Sequence, residues 1–127
     1  MEDQYAREEY RHIDEARRDA NTKKPEEMID FLVASLGKDL VRYGIGLASY
    51  ETLKDLRTDL HHTRLRYLYQ AVRVIVGCDG TKIALVWFVG RNDYLDERAP
   101  LLVLREAESE MEMQEVVFAA ENFVING

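Results

Sequence analysis

Residues 72–88 read VRVIVGCDGTKIALVWF and hold two apolar runs on either side of the dipeptide Asp79-Gly80. Asp-Gly is a favoured pair for the two-residue type I′ turn that joins antiparallel strands. Both runs are rich in valine, isoleucine and aromatic residues, which are enriched in strands. The segment therefore predicts a β-hairpin with strands near 65–78 and 81–90.

The predicted hairpin is apolar on both of its faces. Side chains alternate between the faces of a strand, so an antiparallel sheet with one solvated face should alternate apolar and polar residues. This hairpin does not, and helices of the chain or a second protein must cover the additional apolar face. The residues of that face that we expect to bind a partner are Tyr67, Tyr69, Ile75 and Phe88. A face that the chain's own helices leave uncovered predicts a homodimer interface.

Three helices are expected before the hairpin. Residues 1–20 predict a charged, peripheral helix with a thin apolar stripe. Pro25 and the two glutamates that follow it are typical of the first turn of a core helix. Ser49 can cap a third helix. The end of this third helix is left open between His61 and Leu68, because the helical pattern extends through both.

The chain after the hairpin predicts one more strand and one more helix. Residues 101–106 begin with an apolar run and are interpreted as a third strand. Ser109 and Glu112 have the spacing of a capping box, and apolar residues follow at helical spacing. We therefore expect a single α+β domain over residues 1–127, with three N-terminal helices, a three-stranded antiparallel sheet and a C-terminal amphipathic helix over 109–125.

The chain is acidic, with 24 acids against 17 bases and a net charge of −7 over 127 residues. Residues 1–30 hold ten acids and six bases, residues 31–90 hold five and eight, and residues 91–127 hold nine and three. This balance disfavours nucleic acid, whose phosphates are neutralised by lysine and arginine. It favours a basic protein as the partner. The acids that we expect to supply the charge are Glu106, Glu108, Glu110, Glu112 and Glu115.

The sequence offers little catalytic chemistry. His61 and His62 are adjacent, so on a helix they point in different directions and do not grip a metal as an i,i+4 pair does. The pair leaves open one alternative, a small-molecule-binding or enzymatic pocket near His61 and His62 with a histidine as general base. We predict no catalytic residue, no cofactor and no metal, and favour a noncatalytic function.

A second alternative rests on Arg64, Arg66 and Arg73, which are interleaved with tyrosines along the first predicted strand. Aromatic rings on a strand can stack unpaired bases while arginines contact the phosphates. Alternation divides the patch, since Arg64 and Arg66 fall on one face and Arg73 on the other. Single-stranded nucleic-acid binding through this central basic-aromatic strand therefore ranks behind protein binding.

The compartment is predicted from the terminus, the apolar runs and the cysteine content. The N-terminus lacks the basic and apolar regions of a signal peptide, and the apolar run over 83–89 is too short to span a bilayer. The single cysteine, Cys78, excludes an intrachain disulfide and fits a reducing compartment. We expect a cytoplasmic protein that has no membrane partner.

Together these features predict a noncatalytic protein-binding module. A small acidic inhibitor or adaptor, for example of the phage anti-defence type, fits the composition. It would act through its acidic helical surfaces and its apolar sheet face on another protein, with a basic partner favoured and a homodimer expected. Binding of that kind should weaken as salt screens the charges.

Overall fold

The computed structural model describes the backbone of residues 2–54 and 56–127, and the side chains of residues 8–54 and 56–127. These residues form α-helices, one short 3₁₀ helix and connecting loops, with no strand in the described ranges. The helices are α1 (Glu2–Thr22), α2 (Pro25–Leu36), α3 (Lys38–Ile45), α4 (Asp59–Asp79), α5 (Thr81–Val89), α6 (Pro100–Glu106) and α7 (Glu110–Asn126). The helix predicted over 1–20 is confirmed from Glu2 onward, and Met1 lies outside the described residues.

The predicted α+β fold is wrong, because each of the three expected strands is helical. The strand expected near 65–78 lies inside α4, the strand near 81–90 corresponds to α5, and the strand over 101–106 corresponds to α6. Over the residues that the structure describes, the protein is all-helical. The Asp79-Gly80 dipeptide is the junction of two helices rather than a hairpin turn.

Gly80 makes this junction sharp. Its backbone has φ 89° and ψ 173°, a conformation that essentially only glycine adopts. Its N–H donates to the carbonyl of Val76 at 3.0 Å and closes α4, while its own carbonyl accepts from the N–H of Ala84 at 3.2 Å and opens α5. The Asp79-Gly80 dipeptide therefore does mark a turn, but the turn joins two helices instead of two strands.

The position of α4 explains why its sequence resembles a strand. This helix lies at the centre of the fold, with α1, α2, α3, α5 and α7 packed against it. A helix that is buried on several sides needs apolar residues around most of its circumference, and periodicity alone does not distinguish such a run from a doubly buried strand. Burial in the tertiary structure overrides the β propensity of the branched residues. The buried apolar residues of α4 are Leu65, Leu68, Tyr69, Ala71, Val72, Val74 and Ile75.

The chain between α2 and α4 also differs from the prediction. The expected core helix is broken at Gly37 into α2 and α3, and residues 46–54 and 56–58 form a loop instead of the third helix predicted after Ser49. The residue that caps the next helix is Thr58, whose hydroxyl accepts a hydrogen bond from the backbone N–H of His61 at 3.0 Å. The helical pattern around His61 therefore belongs to α4.

Arg64 is a buried cation that joins three helices. Its guanidinium donates to the carbonyl of Ile45 at the end of α3, at 3.3 Å, and to the carbonyl of Ala107 just after α6, at 2.9 Å. Carbonyls at helix C-termini carry partial negative charge, so they stabilise a cation there. Burial lowers the pKa of Arg64, and the nearby Arg105 lowers it further. Arg64 is therefore a structural residue that fixes α3 and α6 against α4.

The two C-terminal helices carry the start signals expected of helices. Pro100 stands in the first turn of α6, where proline is pre-shaped for a helix, and this signal outweighs the strand-like run after it. The predicted cap of α7 at Ser109 is confirmed, since its hydroxyl accepts from the N–H of Glu112 at 3.3 Å. The reciprocal half of the predicted capping box is not formed, because the Glu112 carboxylate accepts from the Ser109 hydroxyl, at 3.2 Å, instead of from the Ser109 backbone N–H. No helix in the described part of the chain has both the length and the apolar character of a membrane span.

Candidate protein-interaction surfaces

The C-terminal segment concentrates negative charge. Residues 106–127 contain six glutamates and neither lysine nor arginine. Five of the six are exposed, and these are the five that the sequence analysis assigned to partner binding: Glu106, Glu108, Glu110, Glu112 and Glu115. The sixth, Glu121, is buried and accepts a hydrogen bond from Arg17. The segment therefore presents an acidic surface that it does not neutralise with cations of its own.

Two apolar side chains stand among these charges on α7. Met111 is 76% exposed and Phe118 is 45% exposed. Glu115 lies between them, and positions i, i+4 and i+7 share one side of a helix. We call this stripe of Met111, Glu115 and Phe118 the α7 face. The opposite side of α7 packs into the core through Met113, Val116, Val117, Ala120 and Val124.

One of the exposed glutamates is already paired within the chain. The carboxylate of Glu110 accepts from the guanidinium of Arg66 at 2.9 Å and from the hydroxyl of Tyr67 at 3.1 Å. Burial raises the pKa of Tyr67, and the hydrogen bond to Glu110 raises it further. Glu106 and Glu115 take part in none of the ion pairs between described residues. Their charges are therefore available to a partner.

A second surface lies on α5, whose residues 83–89 are apolar around the whole circumference but buried on only one side, while Lys82 in its first turn is exposed. Ala84 and Phe88 are buried, and α5 packs against α2, α4 and α6. Ile83, Val86 and Val89 remain 44%, 69% and 50% exposed. At about 100° per residue, Val86 points away from the buried pair. We call Ile83, Val86 and Val89 the α5 face.

Aromatic residues border the α5 face where it approaches the end of α7. A cleft of about 420 Å³ is lined in part by Trp87, Tyr94 and Phe123, and a second of about 440 Å³ is lined in part by Ile83 and Phe123. The ring centroids of Trp87 and Phe123 lie 6.1 Å apart. Aromatic side chains are enriched at protein interfaces, so this border suits protein contact better than a solvated surface.

The apolar binding face predicted for the sheet does not exist as a surface. Tyr69, Ile75 and Phe88 are buried, because α4 and α5 direct them into the core. The hydroxyl of Tyr69 lies 3.4 Å from a carboxylate oxygen of Asp19, and burial together with that carboxylate raises the pKa of Tyr69 to about 12. Tyr67 is half-buried at the edge of the acidic surface. Three of the four residues therefore stabilise the fold.

The histidines expected to mark a pocket lie in the first turn of α4. His62 is exposed, with its Nε2 3.0 Å from the carbonyl of Leu56. His61 is half-buried, and its Nδ1 has no hydrogen-bond partner among the described residues. Five clefts of about 290 to 490 Å³ are lined by other residues. Within the described ranges, no group of three histidine, cysteine or acidic side chains could hold a metal ion.

The three arginines of the nucleic-acid hypothesis have partners inside the chain. Arg64 is bound to helix-end carbonyls, and Arg66 pairs with Glu110. The guanidinium of Arg73 lies 3.3 Å from the carboxylate of Glu15 on α1. The strand on which these arginines were expected is part of α4, so the basic-aromatic strand of that hypothesis is absent.

Comparison with known proteins assigns no family, since no family model, no curated protein and no solved structure matches the chain. Two surfaces therefore carry what the structure says about function. The glutamates are recognisable in the sequence, but the α5 face is not, because residues 81–89 resemble a strand. The available signal was a run that is apolar on every side, which is more than one buried face requires.

Proposed function

We propose that the protein is a noncatalytic protein-binding module, an acidic inhibitor or adaptor that engages a basic partner protein through the α7 face and the glutamates around it. One observation carries the proposal. Residues 106–127 hold six acids and no base, five of the acids are exposed, and Met111 and Phe118 are exposed in their midst.

Apolar residues and charged residues have different roles in the proposed contact. Phenylalanine and methionine are enriched at interfaces, and a few anchors of this kind supply most of the binding energy. Exposed carboxylates at the rim accelerate encounter with a basic surface and fix its orientation. Phe118 and Met111 are the proposed anchors, and Glu106, Glu108 and Glu115 are the proposed rim charges.

The fold holds this surface rigidly. Ser109 caps the first turn of α7, and the buried Glu121 ties the helix to Arg17 on α1. A preorganised helix loses little conformational entropy when it binds, which favours affinity. An inhibitor or adaptor needs such a surface and its scaffold, and it needs no catalytic group.

Affinity capture from the native host tests the proposal, with the wild-type chain and the variant Glu115→Lys/Phe118→Ser as baits. Glu112 is left unchanged because it takes part in the cap of α7. A matched control is Asp30→Lys on the exposed side of α2, which changes the charge by the same amount as Glu115→Lys. Circular dichroism of each variant verifies that the helices are retained.

We expect the wild-type chain and the Asp30→Lys control to retain the same basic protein. The double variant should lose it. Retention should also decline steeply as the salt concentration rises, because exposed charges are screened within about 10 Å at 0.1 M salt. Retention of the partner by Glu115→Lys/Phe118→Ser, or binding that is insensitive to salt, would refute the proposal.

A further inference from the structure

The exposed side of α7 continues beyond the α7 face to a third apolar residue. Ile125 is 37% exposed, and it follows Phe118 at the same seven-residue interval that separates Phe118 from Met111. Seven residues fall only about 20° short of two full turns of an α-helix, so the three side chains form one nearly straight line. We call Met111, Phe118 and Ile125 the α7 seam. With a rise of 1.5 Å per residue, the seam is about 21 Å long.

The seven-residue repeat of the seam fits a second helix as its complement. Apolar residues at this interval are the pattern with which helices pair, because two helices wound gently around each other keep such residues in contact. An extended chain fits less well, since its side chains on one face recur about every 6.7 Å, whereas neighbouring residues of the seam lie about 10.5 Å apart. Glu115 and Asn122 lie between the apolar residues and are exposed. Polar residues within a helix pair select the partner and the register.

The charge at the N-terminal end of the seam indicates that the second helix is basic. Five exposed glutamates precede Phe118, and residues 106–127 contain neither lysine nor arginine. A second copy of α7 would therefore bring no cation to these glutamates in either orientation. A helix that carries lysine or arginine beside its apolar residues supplies the opposite charge. Charge complementarity favours a basic helix of another protein over a second copy of this chain.

The C-terminal end of the seam is also acidic on one side. Ile125 lines the cleft of about 440 Å³, and the charged residues in the lining of that cleft are Glu9 and Asp79. Neither carboxylate joins an ion pair between described residues. On the other side of this end of α7, Arg91 lines the cleft of about 420 Å³ together with Asp93, so one base is offset by one acid. A cation of a bound helix therefore finds a carboxylate at either end of the seam.

We propose that the α7 seam binds an α-helix of the basic partner protein, one whose apolar residues repeat every seven positions and are flanked by lysine or arginine. The inference rests on the proposed function, because it names the part of the partner that the α7 face contacts. It also goes further, since it adds Ile125 as a contact that the proposed function does not require. Apolar residues of the partner pack along the seam, and its cations lie beside the glutamates that flank it.

Photo-crosslinking from the three positions of the seam tests the proposal in the native host. Benzoylphenylalanine replaces Met111, Phe118 or Ile125 in three separate proteins, and mass spectrometry identifies the partner residue to which each position is joined. The 21 Å between positions 111 and 125 corresponds to about 14 residues of a partner helix but to about six residues of an extended segment. We expect all three positions to crosslink to one segment of a basic protein, at sites about seven residues apart.

A pair of variants tests the contact at Ile125 without a crosslinker. Ile125→Ser should weaken retention of the partner by about 5-fold, because the contact loses the burial of one apolar side chain. Leu85→Ser is the matched control, since Leu85 is an aliphatic residue of similar exposure, 39%, on α5. It should retain the partner as the wild type does. Circular dichroism verifies that both variants keep their helices.

The failure of this inference is distinguishable from the failure of the proposed function. Crosslinks from positions 111 and 125 that lie about six residues apart, crosslinks to a second copy of this chain, or full retention of the partner by Ile125→Ser would overturn the helical partner. A basic partner that still crosslinks from position 118 would then leave the proposed function standing. Absence of any crosslink from position 118 would overturn both.

Discussion

Arg17 and Glu121 are separated by 104 residues and joined by a bidentate contact between α1 and α7. The guanidinium Nη2 lies 3.0 Å from Oε1, and Nε lies 3.3 Å from Oε2. The side chain of Glu121 is 10% exposed and that of Arg17 is 51% exposed. A paired guanidinium and carboxylate in this geometry bind more strongly than two neutral groups. The contact therefore fixes the N-terminal helix against the helix that carries the α7 face.

Loss of this contact should measurably destabilise the fold. We expect Arg17→Ala to lower the free energy of unfolding by about 1–2 kcal/mol, because it leaves the buried carboxylate of Glu121 unpaired. Arg11→Ala is the control, since Arg11 and Glu8 form an exposed pair at 3.4 Å. That change should cost at most about 0.5 kcal/mol. Urea denaturation measures the free energy of unfolding of both variants. An equal loss for Arg17→Ala and Arg11→Ala would contradict a stabilising role for the contact between Arg17 and Glu121.

Gly46 depends on its lack of a side chain because the Arg64 guanidinium occupies the space beside it. Its φ is 89°, and a Cβ built there would collide with Nη1 of Arg64. We expect Gly46→Ala to destabilise the protein by about 2–4 kcal/mol, from backbone strain and the displaced hydrogen bonds of Arg64. In an Arg64→Met background the same change should cost only the strain, about 1–2 kcal/mol. Chemical denaturation of the four proteins measures the difference, and an identical cost in both backgrounds would disprove the coupling.

Cys78 should be a slow nucleophile at neutral pH. Burial raises the pKa of its thiol to about 11, and the neighbouring Asp79 contributes to the rise. The thiolate is the reactive form, so its fraction near neutral pH is about 100-fold lower than in an unperturbed cysteine. Alkylation by iodoacetamide should therefore accelerate with pH up to about 11 in the folded protein. In urea, where the protein is unfolded, the alkylation rate should reach its plateau at a lower pH. If the rate in the folded protein reaches its plateau at that same lower pH, the thiol is not shielded.

Several elements of the fold were predictable because local signals determine them. The N-terminal helix is confirmed from Glu2, and α7 begins after its cap at Ser109 as predicted. The exposure of Glu112 and Glu115 followed from the amphipathic pattern of that helix, whereas Glu121 on the same helix is buried. In these segments one face is buried and the other is solvated, so periodicity and capping agree with the tertiary structure.

The centre of the chain was harder to predict. Residues 83–89 of α5 are apolar on all sides, so they lack the polar face that distinguishes a helix from a strand. α4 does have such a face, because Thr63, Arg66, Gln70 and Arg73 recur at helical spacing and none is buried, but the Asp79-Gly80 turn signal outweighed it in the prediction. The Asp79-Gly80 dipeptide predicts a hairpin turn, although Gly80 permits a sharp break between two helices equally well. Only the packing of the whole chain decides between the two, and that packing also turns Tyr69 and Ile75 inward.

The most direct test of the proposed function is site-specific photo-crosslinking in the native host. Benzoylphenylalanine replaces Phe118 on the α7 face in one protein and Tyr50, an aromatic residue that is 86% exposed in the loop before α4, in another. Both changes exchange one aromatic ring for another, so the fold should be retained. The account predicts a crosslinked basic protein from position 118, with a yield that falls as salt rises, and none from position 50. Equal crosslinking from both positions, or none from position 118, would contradict it.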